Sequence, residues 1–118
     1  MDKKRILLVD DEDGIQPLYR GEFEDEGYLV DSARNGEEAL ARFRANPPDL
    51  VLLDINMPGL NGIEVLRQMK ELRADLPVIL CSAYPEYKQD FGSWASEAYV
   101  VKSANMDELK AAISKFLA

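Results

Sequence analysis

Asp49-Leu50-Val51-Leu52-Leu53-Asp54-Ile55-Asn56-Met57-Pro58-Gly59 is the stretch whose reading decides the fold. Apolar residues run from Leu50 to Leu53 directly into a carboxylate, and turn residues follow at once. A run this short, bounded by Pro47-Pro48 before and Pro58-Gly59 after, reads as a strand buried on both faces. Such a strand delivers Asp54 to the edge of a hydrophobic sheet. In open α/β sheets the carboxyl edge of the strands is where ligands bind. Asp54 can equally be read as a plain turn or capping residue, so the remainder of the chain has to decide.

Working outward, Arg5 to Val9 is a second buried-strand pattern, and it too ends in acid, at Asp10-Asp11-Glu12-Asp13. Asp13 with Gln16 fits a capping box, with Pro17 in the first helical turn. Ile15, Leu18, Tyr19 and Phe23 form the expected buried face of that helix, and Gly27 stops it. Tyr28 to Ala33 is a more polar strand, suited to a sheet edge. Asn35-Gly36-Glu37-Glu38 opens a helix whose core residues are Leu40 and Phe43, and Asn46-Pro47-Pro48 ends it.

Beyond the central strand, Asn61-Gly62-Ile63-Glu64 repeats the cap, and Ile63, Leu66, Met69 and Leu72 are the expected core face. Val78 to Ser82 is a fourth strand. Residues 85–96 contain Phe91 and Trp94 among polar residues and Gly92, and read as a short or loose helix. Ala98 to Val101 is a fifth strand that delivers Lys102. Asn105 and Glu108 cap a last helix, with Leu109, Ala112, Ile113 and Phe116 on one face.

Five strand–helix pairs without a long linker predict one (βα)5 domain over residues 1–118, a doubly wound parallel sheet with right-handed crossovers. A flavodoxin-like strand order, 2-1-3-4-5, fits the apolar central strands and the polar second one. At 118 residues the chain is long enough for one real core. Its formal net charge of −8 argues against direct binding of nucleic acid. Cys81 is the only cysteine and there is no histidine, which excludes disulfides, thiolate clusters and His-based chemistry. The opening Met1-Asp2-Lys3-Lys4-Arg5 precedes an apolar run too short for a signal peptide or membrane span, so a cytoplasmic protein without membrane contact is expected.

Parallel strands bring Asp10, Asp11, Asp54, Ser82 and Lys102 to one edge. Three carboxylates gathered there repel one another unless a cation neutralises them. With no thiol or imidazole the donors are all oxygen, which selects a hard cation, and Mg2+ suits carboxylates combined with a phosphate and water. Lys102 adds positive charge and Ser82 a neutral donor. An ionised carboxylate needs no proton removed before it attacks phosphorus. The expectation is phosphoryl transfer onto Asp54, driven by positioning and charge neutralisation.

The chain resembles the receiver domain of two-component response regulators over essentially its whole length. Leu7-Leu8-Val9-Asp10-Asp11-Glu12 resembles that family's acidic-pair motif, and Leu53-Asp54-Ile55-Asn56-Met57-Pro58-Gly59, followed by Gly62, its phosphoacceptor motif. Ser82-Ala83-Tyr84 resembles the switch segment and Tyr99-Val100-Val101-Lys102 the lysine strand. The resemblance implies that Asp54 is the phosphoacceptor. Asp11, Asp54 and the Asn56 carbonyl then bind Mg2+ directly, with Asp10 acting through water. Ser82 and Lys102 bind phosphoryl oxygens, and Tyr99 is the aromatic switch. The donor would be a sensor histidine kinase or phosphotransfer protein. Output would pass to a downstream effector through the fourth helix, fifth strand and fifth helix. The domain would be no enzyme beyond its own phosphorylation and dephosphorylation.

The chain departs from the family pattern at Ser103, where a proline after a cis bond is usual; a cis bond before a non-proline costs about 2.5–4 kcal/mol. Residues 85–96 also lack the usual Ala-Gly-Ala ending. Two other readings compete. An Mg2+-dependent aspartyl-nucleophile phosphatase or phosphotransferase typically carries a second Asp two residues on, where Asn56 stands, and a substrate-capping domain. A phosphorylation-independent pseudo-receiver would have lost the acid pair, the acceptor or the lysine, and all are present. A nucleotide-binding domain is disfavoured because no Gly-rich loop follows the first strand.

Overall fold

Successive side chains along a strand point to opposite faces of its sheet, and here both faces are dry. Leu7, Val9, Val51, Leu53, Val78 and Leu80 are buried on one side, and Ile6, Leu8, Leu50, Leu52, Ile79 and Cys81 on the other. The computed structural model describes residues 3–12, 14–54, 62–82, 98–101 and 106–117. Its elements are β1 (Arg5–Val9), α1 (Ile15–Asp25), β2 (Leu29–Ala33), α2 (Gly36–Ala45), β3 (Leu50–Asp54), α3 (Gly62–Leu72), β4 (Val78–Ser82), β5 (Ala98–Val101) and α4 (Asp107–Leu117). The strands form one five-stranded sheet in the order β2-β1-β3-β4-β5, with every neighbouring pair parallel. This is the flavodoxin-like order expected from the sequence. The helix expected within residues 85–96 lies outside the described residues, as do Asp13, Asn61, Asn105 and the Lys102–Ser103 peptide.

The two faces take different helices. Ala39, Leu40 and Phe43 of α2 and Val65, Leu66 and Met69 of α3 pack on the first face. Tyr19 and Phe23 of α1 and Leu109 and Ile113 of α4 pack on the second. β3 sits at the centre and all of its residues are buried, whereas β2 mixes buried and open positions as an edge strand does. Each fully buried aliphatic side chain contributes about 1.5–3 kcal/mol relative to exposure. The sheet's hold on both helix layers therefore comes from its strands' uninterrupted apolar runs.

Local signals set the ends of the helices. Asn35 Oδ1 accepts the Glu38 N–H at 2.8 Å, the cap expected at the start of α2. Gly27 adopts φ +94° after α1, and the N–H groups of Gly27 and Tyr28 return to the carbonyls of Glu24 and Phe23 at 3.0 and 3.1 Å. This is a Schellman end, in which glycine meets no Cβ penalty. The start of α1 differs from expectation. Its N-cap is Gly14, without a side-chain cap bond, and the Gln16 amide nitrogen donates to the carbonyls of Asp10 and Ala33; the expected box with Asp13 lies outside the described residues. Across the second face, Lys110 Nζ donates to Glu22 of α1 at 2.7 Å. That hydrogen bond holds the Lys110 ammonium above its ordinary pKa, although a solvent-screened, partly exposed pair contributes little to stability.

Two expected core positions are corrected. Leu18 is 54% exposed and Leu72 is 51% exposed. The buried stripe of α1 is Ile15, Tyr19 and Phe23, and at about 100° per residue Leu18 falls well to one side of it. Leu72 keeps to the stripe of Val65 and Met69 but is the last residue of α3, where the sheet-facing surface runs out. Phe23, fully buried and tilted against Tyr19 at 5.9 Å between ring centroids, should cost about 3–5 kcal/mol when replaced by alanine. Leu18→Ala should change stability by no more than about 0.5 kcal/mol. Urea unfolding of the two variants measures both, and a Leu18→Ala loss comparable to that of Phe23→Ala would contradict the assignment of faces.

Candidate functional site

The carboxyl edge of the sheet is where apolar runs give way to acid. β1 and β3 pair from Ile6↔Leu50 to Val9↔Leu53, so Asp10 and Asp54 follow at the same level on adjacent strands. Asp10 is 2% exposed and Asp54 4%, and they are the two buried charged residues among those described. Burying an ionised carboxylate costs several kcal/mol unless it is paired or coordinated. Two of them side by side therefore concentrate negative charge at one buried point of the sheet edge.

A third carboxylate joins them. Oxygens of Asp10, Glu12 and Asp54 lie within 4.8 Å of one another. At an effective dielectric near 20, two unit charges at the outer limit of 4.8 Å repel by about 3.5 kcal/mol. Glu12 reaches this group through a local turn, since its N–H donates to Asp10 Oδ1 at 2.9 Å. An Asp side chain commonly binds the backbone two residues on in this way. The donor set is all oxygen and two of its three members are buried, which fits a hard divalent cation of the Mg2+ type better than a soft or imidazole-seeking metal. The fit therefore rests on the geometry of these carboxylates as well as on the residue types.

The other candidates fall as follows. Asp11 is half-buried beside Asp10 and does not belong to the group of oxygens just described. Ser82 closes β4 in register with Val101, which stands level with it at the end of β5. Lys102 follows immediately in the chain, but it lies outside the described residues, as does Asn56. Tyr99 lies within β5, opposite Leu80. Cys81 is the register partner of Asp54 and is buried. Glu12 is the site residue that sequence reasoning passed over. Its signal is the unbroken acid run after β1, of which strand-end placement selects only the first two members.

Comparison with known proteins follows the same line. The family model for the response regulator receiver domain matches residues 6–114. Sporulation initiation phosphotransferase F of Bacillus subtilis (strain 168) is 38% identical over 119 residues, which cover 99% of this chain and 96% of that protein. Regulatory protein AtoC of Escherichia coli (strain K12) is 37% identical over 96% of this chain, but the match spans 25% of AtoC. Among solved structures, response regulator protein TrrA from Thermotoga maritima, in complex with Mg2+-BeF, superimposes with a TM-score of 0.91 at 50% identity, over 96% of this chain and 98% of that one. A complex of histidine kinase ThkA with TrrA gives a TM-score of 0.90 at 50% identity, over 98% and 99% of the two chains.

A cation that binds only the folded acidic edge must stabilise the fold by mass action, by about 2.7 kcal/mol at one hundred times its dissociation constant. Millimolar Mg2+ should therefore raise the melting temperature of this protein, and Asp10→Asn should remove most of the rise. Scanning calorimetry with and without Mg2+ makes the comparison. Identical melting curves for the parent protein in EDTA and in saturating Mg2+ would contradict a cation site here.

Proposed function

Because the chain belongs to the response regulator receiver domain family, we propose that Asp54 is its phosphoacceptor. The donor in this proposal is a phosphohistidine on a sensor histidine kinase or phosphotransfer protein. The single observation that carries the proposal is the burial of Asp54, at the end of the central strand, within a group of three carboxylates. The likeness to a regulator solved with a histidine kinase supports the choice of donor.

Asp54, Asp10 and Asp11, with the Asn56 carbonyl, are the groups that would hold Mg2+, and Glu12 adds negative charge beside them. Bound there, Mg2+ supplies neutralisation of the charge on the transferring phosphoryl group. Asp54 presents an ionised oxygen that attacks phosphorus with no proton to remove. The bond that forms is from the Asp54 oxygen to phosphorus, and the bond that breaks joins phosphorus to the imidazole nitrogen, which leaves with the electron pair. Lys102 contributes charge to the phosphoryl oxygens. Ser82 donates a hydrogen bond that draws its loop toward them, and Tyr99 repacks in response. A phosphoryl group favours that second state only through contacts it does not make in the first.

In this proposal the domain is a signalling module, not an enzyme acting on a separate substrate. The segment after β4, β5 and α4 form its output face toward an effector, and residues 85–96 supply the helix that completes a (βα)5 unit. AtoC, of which the match spans 25%, illustrates a receiver within a longer chain. The proposal also places the protein in the cytoplasm; among the described residues no helix is long and apolar enough to cross a membrane.

Asp54→Asn should abolish labelling by acetyl phosphate and Mg2+, read as the loss of a one-phosphoryl mass increase. Undiminished labelling at another residue would refute the acceptor. Sustained turnover of a small phosphate ester by the parent would favour the aspartyl phosphatase reading instead.

Ser82→Ala should label nearly as well as the parent but lose the conformational response to beryllofluoride, followed by Trp94 emission. Lys102→Ala should label more slowly and also lose the response. If Ser82→Ala failed to label as completely as Asp54→Asn, this division of roles would be wrong.

A further inference from the structure

Gln16 uses its side chain in a way that neither a capping role nor helix packing requires. The amide nitrogen carries two hydrogens, and both are placed: one on the Asp10 carbonyl at 2.6 Å, the other on the Ala33 carbonyl at 2.8 Å. The Ala33 carbonyl also accepts the Asp10 N–H at 3.0 Å, which matches its two lone pairs. Three hydrogen bonds thus join the first residue beyond β1 to the last residue of β2 and to the first turn of α1. The Gln16 backbone is tied to the same loop, since its N–H and that of Ile15 both donate to the Glu12 carbonyl, at 3.4 and 3.2 Å. Glu12 in turn donates its own N–H to Asp10 Oδ1 at 2.9 Å.

We infer that Gln16 is a positioning residue for the acidic edge: by holding the Asp10 peptide and the Glu12 carbonyl, it sets where the Asp10 and Glu12 carboxylates stand for a divalent cation. The inference rests on the cation-binding reading of that edge. Without the amide, the carbonyl of the Asp10–Asp11 peptide loses this hydrogen bond, and the loop that carries the Asp10 and Glu12 carboxylates is held less firmly in its approach to Asp54. Groups that orient metal ligands from outside the coordination sphere typically change affinity by about 10–100-fold when removed.

Gln16→Met keeps the length and absence of branching but removes both donors, and Gln16→Ala removes the side chain. Each is compared with the parent by calorimetric titration with Mg2+, by melting in EDTA, and by the rate of acetyl-phosphate labelling across a Mg2+ series. The expected result is a Mg2+ dissociation constant about tenfold weaker, with the labelling rate recovering to the parent's at saturating Mg2+. A merely structural latch would lower the melting temperature in EDTA and leave the dissociation constant unchanged, and that outcome in either variant overturns the inference. A parent protein that binds no Mg2+ overturns the cation reading itself, and the inference with it.

Discussion

Two carboxylates, Asp10 and Asp54, are held in nearly dry surroundings at the same level of adjacent parallel strands, with a third oxygen donor from Glu12 beside them. Mutual repulsion and lost hydration both oppose this arrangement. It persists because the strands beneath are over-determined: β1 and β3 are paired along their length and packed on both faces by helices. The apolar core stabilises a fold that its own acidic edge destabilises. Strained polar groups of this kind are characteristic of sites, since a fully relaxed edge has no affinity in reserve for a charged ligand.

The layers explain how the edge stays in place. α2 and α3 cover one face, and α1 and α4 the other, so each strand end emerges from between two helix layers. α1 is coupled to the edge more closely than by packing alone, because the loop that carries the acids becomes its first turn and is tied to it through Gln16. At the opposite edge the sheet is closed locally, with the Arg5 N–H donating to Asp49 Oδ2 and the Asp49 N–H to the Arg5 carbonyl, both at 2.8 Å. The strand register that sets Asp10 beside Asp54 is thereby held from both ends.

Much of this was legible in the residues. Leu50 to Leu53 and Ile6 to Val9 admit few readings other than strands buried on both faces, and the polar Asp31 and Ser32 put β2 at an edge. Asn35 and Gly27 gave the ends of two helices through chemistry that depends on near neighbours alone. Leu18 differs because an i, i+3 spacing leaves the centre of a helical stripe undetermined, and Leu72 because the pattern does not show where the covered length of α3 ends; only tertiary packing decides either. The hydrogen bonds of the Gln16 amide nitrogen were not legible because its acceptors, Asp10 just beyond β1 and Ala33 at the end of β2, are far apart in the sequence and are brought together by strand pairing. Glu12 was overlooked because a turn, not its place in the sequence, folds its carboxylate back toward Asp10. Lys102 was placed by the fifth strand that precedes it and Asn56 by motif resemblance, and both lie outside the described residues.

The most direct measurement is a crystal structure of this protein grown with Mg2+ and beryllofluoride. The account predicts beryllium bonded to an Asp54 carboxylate oxygen, with the cation held between Asp54 and the acids that follow β1. Beryllofluoride on Asp10 or Glu12, or a cation bound elsewhere while this edge binds none, would contradict it.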